Sequence, residues 1–274
     1  MSPAVNEAEH RRWNDDYWSS VWPKRERLTD EVTTFLLEAA ALQPGERVLD
    51  IGYGGGRSSI AAARAVGPEG TVVGADISEP LNRLATRRAE EAGMTNITLY
   101  VADIQTVQLE GGLDAAISQF GVMFFDEPEV AFRNIRRHLR PGGRLAFACW
   151  ESTGQNPWYF APAITSFVPP SAPPEPGKSA TGPFALADAA RTTALLEAAG
   201  FVEVQRSSYE SDVELPQDSV VDRDHLAFIG IPENDLDAAQ SAVDDLLRRF
   251  RLASGLSRFP LAFQIFHGVN PAAD

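Results

Sequence analysis

Three aspartates share the same kind of setting and could act on one ligand. Asp76 closes the apolar run Thr71-Val72-Val73-Gly74-Ala75, and Asp103 closes Ile97-Thr98-Leu99-Tyr100-Val101-Ala102. Asp50 follows Val48-Leu49 and leads through Ile51 into Gly52-Tyr53-Gly54-Gly55-Gly56. Glycines at 52, 54 and 56 would let the backbone approach a ligand closely, and a helix after them would offer unpaired N–H groups. Successive strand tips converge on one crevice in an open α/β sheet, so the pattern outlines a nucleotide-shaped site. A dinucleotide fingerprint needs a further glycine at position 57, where this chain has Arg57. A carboxylate at Asp50, so close to the glycines, also sits badly beside a pyrophosphate. It suits a ligand carrying an ammonium or sulfonium.

The elements that must hold these residues alternate along the chain. Strands at about 47–51 and 71–75 precede helices at about 57–66 and 80–92, and strands follow at about 97–102 and 113–118. A helix over about 128–139 stops at Pro141-Gly142-Gly143, and a strand runs over about 144–150. Helix 186–199 then leads to a strand at about 201–209, and a last strand lies near 259–268. Strands alternating with helices of this length argue for an α/β fold, a parallel sheet with helices on both faces. Four regions are expected: a helical cap at 1–43, a cofactor-binding core at 44–152, a proline-rich lid or excursion at 153–185, and the rest of the sheet at 186–274 with a helical insertion at about 217–252. In the cap, Trp13, Tyr17, Trp18 and Trp22 are spaced to cluster on one side, and a second helix from about Thr29 to Leu42 has Thr29 or Asp30 as its N-cap. The proline-rich stretch includes Pro169-Pro170 and Pro173-Pro174.

The formal net charge of −14 repels phosphate backbones and anionic headgroups, which argues against nucleic acid and membrane partners. Arg133, Arg136, Arg137 and Arg140 form a local basic group, read as a solvated helix face. The single cysteine, Cys149, excludes an intramolecular disulfide and a cysteine-based zinc cluster, so no metal is expected, and its apolar neighbours place it in the core. The polar opening of the chain and the absence of an apolar run of roughly 20 residues lead to the expectation of a cytoplasmic protein. A homodimer is compatible with the sequence.

Asp50-Ile51-Gly52-Tyr53-Gly54-Gly55-Gly56, together with Asp76, Asp103 and Pro141-Gly142-Gly143, resembles a class I S-adenosylmethionine-dependent methyltransferase of the small-molecule type. The resemblance spans about residues 45–150. It implies a Rossmann-like, doubly wound, mostly parallel seven-stranded sheet with S-adenosyl-L-methionine as cofactor and S-adenosyl-L-homocysteine as product. The loop Gly52, Tyr53, Gly54 to Gly56 would lie against the methionine part, with Asp50 organising its amino end. Asp76 would accept from the ribose hydroxyls, Ile77 would pack on adenine, and Asp103 would accept from the adenine amino group beside Ile104. Ser118 and Gln119 would line the methyl-donor side. Tyr53 departs from the family, which usually has a small residue there. A phenol at that position would narrow the methionine pocket, reach the substrate chamber, or fold back on the N-terminal helix.

Methyl transfer is an in-line displacement on carbon, so the protein mainly aligns the nucleophile and excludes water, with a general base useful for a hydroxyl or an acidic carbon. Of His10, His138, His225 and His267, His225 ranks first as base because it lies in the insertion that commonly builds the substrate pocket; Tyr53 is a second catalytic candidate. Phe120, Met123, Phe124 and Phe125 after the fourth strand would wall an apolar chamber, with Trp158, Tyr159 and Phe160 after the fifth and Phe228, Phe250 and Phe263 further on. These walls suit O- or C-methylation of a small, fairly hydrophobic metabolite, in secondary metabolism for instance. The alternatives are a methyltransferase-fold protein that uses the cofactor for a cyclisation, a rearrangement or sensing, and a nicotinamide-dependent oxidoreductase, which Arg57 and Asp50 disfavour.

Overall fold

The computed structural model of the protein describes residues 6–168 and 180–272. Its N-terminal cap consists of α1 (Glu7–Trp13), α2 (Tyr17–Arg25), a 3-10 turn at Glu26–Thr29 and α3 (Val32–Ala40). The core then alternates β1 (Arg47–Ile51), α4 (Arg57–Val66), β2 (Thr71–Asp76), α5 (Glu79–Glu91), β3 (Ile97–Val101), β4 (Leu113–Gln119), α6 (Pro128–His138) and β5 (Leu139–Trp150). The last part holds α7 (Ala161–Ile164), α8 (Ala189–Ala198), β6 (Val202–Leu215), α9 (Arg223–Phe228), α10 (Leu236–Leu247) and β7 (Ser257–Val269). The seven strands form one sheet in the order β3-β2-β1-β4-β5-β7-β6. The pairings from β3 through β5 are parallel, whereas β7 runs antiparallel to both β5 and β6. This is the Rossmann-like sheet that the motif order implied.

Successive strand residues alternate between two buried layers. Val48, Ala115, Ile117 and Ala146 pack with α3 and α4, while Leu49, Ile51, Ala116, Leu145 and Phe147 pack with Phe132 and Ile135 of α6 and Leu196 of α8. Strands covered on both faces need apolar residues at every position, which is why β1, β4 and β5 read as near-continuous apolar runs. The same alternation turns Asp50 toward α4 and away from the other layer. Cys149 is a buried core thiol whose ionisation burial opposes.

Several boundaries differ from expectation for local reasons. Thr29 and Asp30 do not cap α3: Thr29 Oγ1 donates to the Glu26 carbonyl at 3.2 Å, Asp30 pairs with Arg57 at 3.0 Å, and Glu31 takes the N-cap position without a side-chain cap. Pro141-Gly142-Gly143 is not a stop before a new strand but a bulge within β5, where pairing shifts between Leu113↔Leu139 and Ala115↔Arg144. Asn270 fills that bulge, with Gly142 N donating to its carbonyl and its Nδ2 donating to the carbonyls of Leu139 and Arg140 at 3.0 Å. β6 runs six residues past its expected end because it pairs with β7 along its length. The basic residues here are engaged locally: on α6 Arg133 pairs with Glu129 and Arg136 holds Ala199 O and Asn270 Oδ1 at 3.0 Å each, and in β5 Arg140 pairs with Asp114 at 2.6 Å. Pro169-Pro170 and Pro173-Pro174 lie outside the described residues. Among the described residues, no helix is long and apolar enough to cross a membrane.

Phe132 is fully buried and meets Phe147 at 5.4 Å and Phe125 at 5.9 Å between ring centroids, linking the core to the end of β4. Phe132→Ala is expected to cost about 3–5 kcal/mol of stability, read from the midpoint of urea unfolding.

Candidate active site

A cavity of about 250 Å³ opens at the carboxyl ends of β1 to β4, where the strand order reverses between β1 and β4. That reversal separates the flanking loops and leaves a crevice, the usual ligand position in such sheets. Gly52 and Gly121 form its floor. Gly52 has φ +64°, and a Cβ there would stand 2.8 Å from Gly121 Cα. Gly54 has φ +52°, and its Cβ would stand 2.5 Å from the Trp22 ring. Both positions exclude side chains on two grounds at once.

Asp76 ends β2 with its carboxylate buried. Its Oδ2 accepts from Gly54 N and its Oδ1 from Ser78 N, each at 2.8 Å. Burial raises its pKa, and the backbone donors oppose that rise. Each oxygen retains acceptor capacity toward the cavity, an arrangement matched to two vicinal hydroxyls. Asp103 stands at the tip of β3, its Oδ1 accepting from Gln105 N at 2.8 Å, and burial raises its pKa too. Ile77, Ala102 and Ile104 supply apolar lining between the two acids.

The expected site residues divide sharply. Gly52, Gly54, Asp76, Ile77, Asp103, Ile104 and Gln119 line this cavity together. Asp50 does not. Its side chain faces α4, where Oδ2 accepts from Ser58 Oγ at 2.7 Å and Ser59 Oγ at 2.6 Å, so it anchors the helix after the glycine loop. Gly56 packs against α5, its Cβ position lying 2.9 Å from that of Ala85, and stays out of the lining. Ser118 is buried behind the floor, donating to Ile51 O at 2.7 Å and accepting from Gly121 N at 3.2 Å. Tyr53 points neither into the main cavity nor back to the cap; it lines a smaller recess of about 40 Å³ at the glycine loop, with Gly52, Gly55, Arg57 and Ser58. Its ring packs against Gly74, and its hydroxyl donates to Tyr100 O at 3.3 Å and accepts from Asn82 Nδ2 at 2.7 Å. Burial pushes the phenol's pKa up, which removes it as a base near neutral pH.

His225, expected as general base, also stands outside the lining. Its Nδ1 shares a hydrogen bond with Tyr17 Oη at 2.8 Å, and burial lowers its pKa to about 4. The imidazole joins the cap to the insertion within an aromatic nest of Tyr17, Trp18, Phe160 and Phe228. Phe120, Met123, Phe124 and Phe125 do line the cavity. Trp158, Tyr159, Phe160, Phe228, Phe250 and Phe263 pack elsewhere: Phe228 stacks on Tyr17 at 4.2 Å and Phe263 on Tyr209 at 5.3 Å, for example.

Sequence reasoning missed the cap's share of the lining. Trp13, Trp22, Arg25, Glu26 and Thr29 all face the cavity, as does Trp150 at the end of β5. The tryptophan spacing signalled a cluster but not its partner. Phe120 adds a backbone signature with φ +62°, a costly conformation for a bulky residue, and its ring stacks on Trp150 at 4.3 Å.

Comparison with known proteins agrees with this geometry. Residues 48–143 match the family described as a methyltransferase domain. Nocamycin O-methyltransferase of Saccharothrix syringae is 33% identical over 203 residues, 66% of this chain and 68% of the relative. An uncharacterized 37.1 kDa protein in transposon TN4556 of Streptomyces fradiae is 38% identical over 120 residues, 43% of this chain; the match spans only 34% of that relative's length. A SAM-dependent methyltransferase structure from Aquifex aeolicus shares the fold, with a TM-score of 0.53 at 16% identity over 96% of this chain and 97% of that one. The chain belongs to the class I S-adenosylmethionine-dependent methyltransferase family. S-adenosyl-L-methionine is that family's cofactor, and the residues present fit it. A buried carboxylate with two accepting edges suits ribose, a backbone floor without side chains suits close approach, and a lining with Asp76, Asp103 and Glu26 against one cation, Arg25, suits a sulfonium.

Asp76→Ala is expected to weaken S-adenosyl-L-homocysteine binding by about 1–3 kcal/mol, measured by calorimetric titration. A second expectation concerns pH. Burial raises Asp50 to about 6, against an ordinary carboxylate value of 3.8, so the native state favours the protonated acid. Its contribution to stability is present at low pH and is lost as the pH rises through about 6. Asp50→Asn should therefore gain on the wild type between about pH 4 and pH 7, by on the order of 3 kcal/mol, in urea unfolding at the two pH values.

Proposed function

We propose that this protein transfers a methyl group to an oxygen, or to an acidic carbon, of a small and fairly hydrophobic metabolite. The observation that carries this reading is the gradation within one cavity, from the carboxylates of Asp76 and Asp103 to an apolar end formed by the rings of Phe120, Phe124 and Trp150 and the thioether of Met123. The first end supplies hydrogen-bond acceptors for a nucleoside, and the second supplies flat apolar surface for an acceptor molecule. S-adenosylmethionine, when bound, supplies a sulfonium methyl already activated for displacement. The chain's residues then bind, orient and exclude water. Trp13 and Trp22 close the cap side, Phe120 and Trp150 offer a stacked platform, and the Gly52 floor sets the depth of the cleft.

Among the described residues of the lining, the ionisable groups are Arg25, Glu26, Asp76 and Asp103. Two of these acids stand at the nucleoside end, and no histidine joins them. This distribution supports an acceptor that brings its own acidity, such as a phenol, an enol or a stabilised carbon acid, over an alkyl alcohol needing a strong base. The relative named for O-methylation of nocamycin supports oxygen as the receiving atom. Tyr53, which departs from the family's usual small residue, has its hydroxyl engaged by Asn82 and Tyr100 away from the main cavity.

The test is incubation with methyl-labelled cofactor and a panel of aromatic and terpenoid acceptors. Label should pass to an acceptor with an acidic hydroxyl or acidic carbon. Label reaching none of them, from protein that binds S-adenosyl-L-homocysteine, would favour the cyclisation or sensing alternative. For a transferred acceptor, Phe120→Leu should raise KM roughly tenfold, about 1.4 kcal/mol, with homocysteine-product affinity unchanged.

A further inference from the structure

The five tryptophans spend their indole N–H groups unequally. Trp13 Nε1 donates to Glu9 Oε2 at 2.9 Å, Trp18 Nε1 to Arg12 O at 2.8 Å, and Trp158 Nε1 to Asn156 Oδ1 at 3.2 Å. The indole nitrogens of Trp22 and Trp150 have no partner among the described residues, and both rings line the main cavity. Trp22 lies over the glycine loop, where a Cβ on Gly54 would stand 2.5 Å from its ring. Trp150 belongs to the apolar end, as the last residue of β5. It is only 5% exposed, and an indole buried that deeply normally gives its N–H to an acceptor. The sealed nitrogens that lack a partner include Arg25 Nε but not Trp150 Nε1, so this donor is reached from the cavity that its ring lines. The ring is also fixed in place. Phe120 stacks on it at 4.3 Å, and Trp158 meets it edge-on at 5.1 Å. Trp158 is held in turn by Asn156, a fully buried amide that bonds the backbone of Ala262 through Nδ2 at 2.8 Å and Oδ1 at 3.0 Å. The direction of the N–H is set before any ligand arrives.

We propose that Trp150 Nε1 donates to a carbonyl oxygen of the acceptor, and that the acceptor is an acid whose hydroxyl is conjugated with that carbonyl, as in an enolised dicarbonyl or a hydroxyquinone. This rests on the reading of the cavity as a methyl-transfer site. No histidine stands among the described residues of the lining, so the acceptor has to arrive ionised. Arg25, the cation of the lining, is already paired with Asp222 at 2.8 Å. A neutral donor favours the charged form of the group it binds and adds no charge of its own. With the negative charge shared over two oxygens, one rests on the indole while the other stays free to attack. The free oxygen gives the electron pair of the new O–C bond, the C–S pair stays with sulfur, and the proton has already gone to solvent. A simple phenol offers one oxygen only, and a donor placed on it would blunt the nucleophile. Trp150 thereby selects among acidic acceptors.

The experiment titrates two probes calorimetrically into the full chain loaded with S-adenosyl-L-homocysteine. Lawsone has an acidic hydroxyl conjugated with a ring carbonyl; 2-naphthol has a fused ring system of the same size and a hydroxyl but no carbonyl. Wild-type protein should bind lawsone more tightly. Trp150→Phe keeps a ring against Phe120 and Trp158 but removes the N–H. It should weaken lawsone roughly ten- to hundredfold, the range for a hydrogen bond to a charged group, and leave 2-naphthol and the homocysteine product unchanged. Should Trp150→Phe fail to bind the homocysteine product, and so fail to fold, benzothienylalanine placed at position 150 keeps the outline of the indole and removes only the N–H; the same selective loss is expected. Equal loss of both probes would assign Trp150 to packing alone and overturn the proposal, as would unchanged affinity for both. Either result leaves the methyl-transfer reading standing. Wild-type protein that binds the homocysteine product but neither probe would bring down the acceptor reading of the apolar end and this assignment together.

Discussion

At the floor of the cleft, the turn after β1 and the turn after β4 touch backbone to backbone. A Cβ on Gly121 would lie 2.7 Å from Ile51 O and 2.9 Å from Gly52 Cα, while Ser118 Oγ bridges Ile51 O and Gly121 N behind the contact. Nothing larger than hydrogen fits between these turns. The contact brings two segments about 70 residues apart in the chain to the point where the strand order reverses, and it sets where every other group can stand. Gly54 N reaches Asp76 only because the loop turns over at Gly52. Phe120 takes its positive φ at the opposite lip, one residue before Gly121, and so presents its ring to Trp150. Strain is tolerated there because both neighbouring turns are immobilised.

The electrostatics follow from that geometry. Asp50 and Asp76 are both buried, and the charge of Asp76 adds to the burial that raises the pKa of Asp50, yet the two are held in different ways. Two serine hydroxyls hold Asp50 and turn it into a strut between β1 and α4. Two backbone amides hold Asp76 and leave it facing the cavity. Equal-looking acids at equivalent strand ends thus take unlike roles, because the pleat points one toward a helix and the loop turns the other toward the ligand. The cap answers with its own charges. Lys24 and Arg25 pair with Asp222 of the insertion at 2.9 and 2.8 Å, and Glu26 pairs with Arg88 of α5 at 2.6 Å. The cap is thus pinned to the insertion through Lys24 and Arg25 and to α5, beside the glycine loop, through Glu26.

How much of the site was legible varied with how local its cause was. Asp76 and Asp103 could be read because a carboxylate at a strand tip is a local pattern, and the strand tips meet wherever the sheet is parallel. Asp50, Gly56 and Ser118 obeyed the same pattern but serve the framework, since their directions depend on which helix packs beneath them. His225 was chosen for its place in the insertion, but the stacking of Tyr17 on Phe228 draws it into the cap interface. Glu26 and Arg25 were silent in the sequence because a charged pair at the end of a short helix ordinarily marks a solvated face. Arg25 ends α2 and Glu26 opens the following 3-10 turn, so the place where the helix ends puts both on the cleft.

The sequence by itself determined the alternation of strands and helices, the glycine turn after β1 and the acids at the strand ends, because each is dictated by backbone propensity and burial within a few residues. It also carried the family resemblance, through motif order and spacing. The tertiary structure alone decided which acids face the cavity, that the cap supplies one wall of it, and that Tyr53 packs between β2 and α5 and stays out of the main cavity. Those outcomes depend on contacts between segments far apart in the chain, whose packing selects one direction for a side chain that local chemistry leaves free.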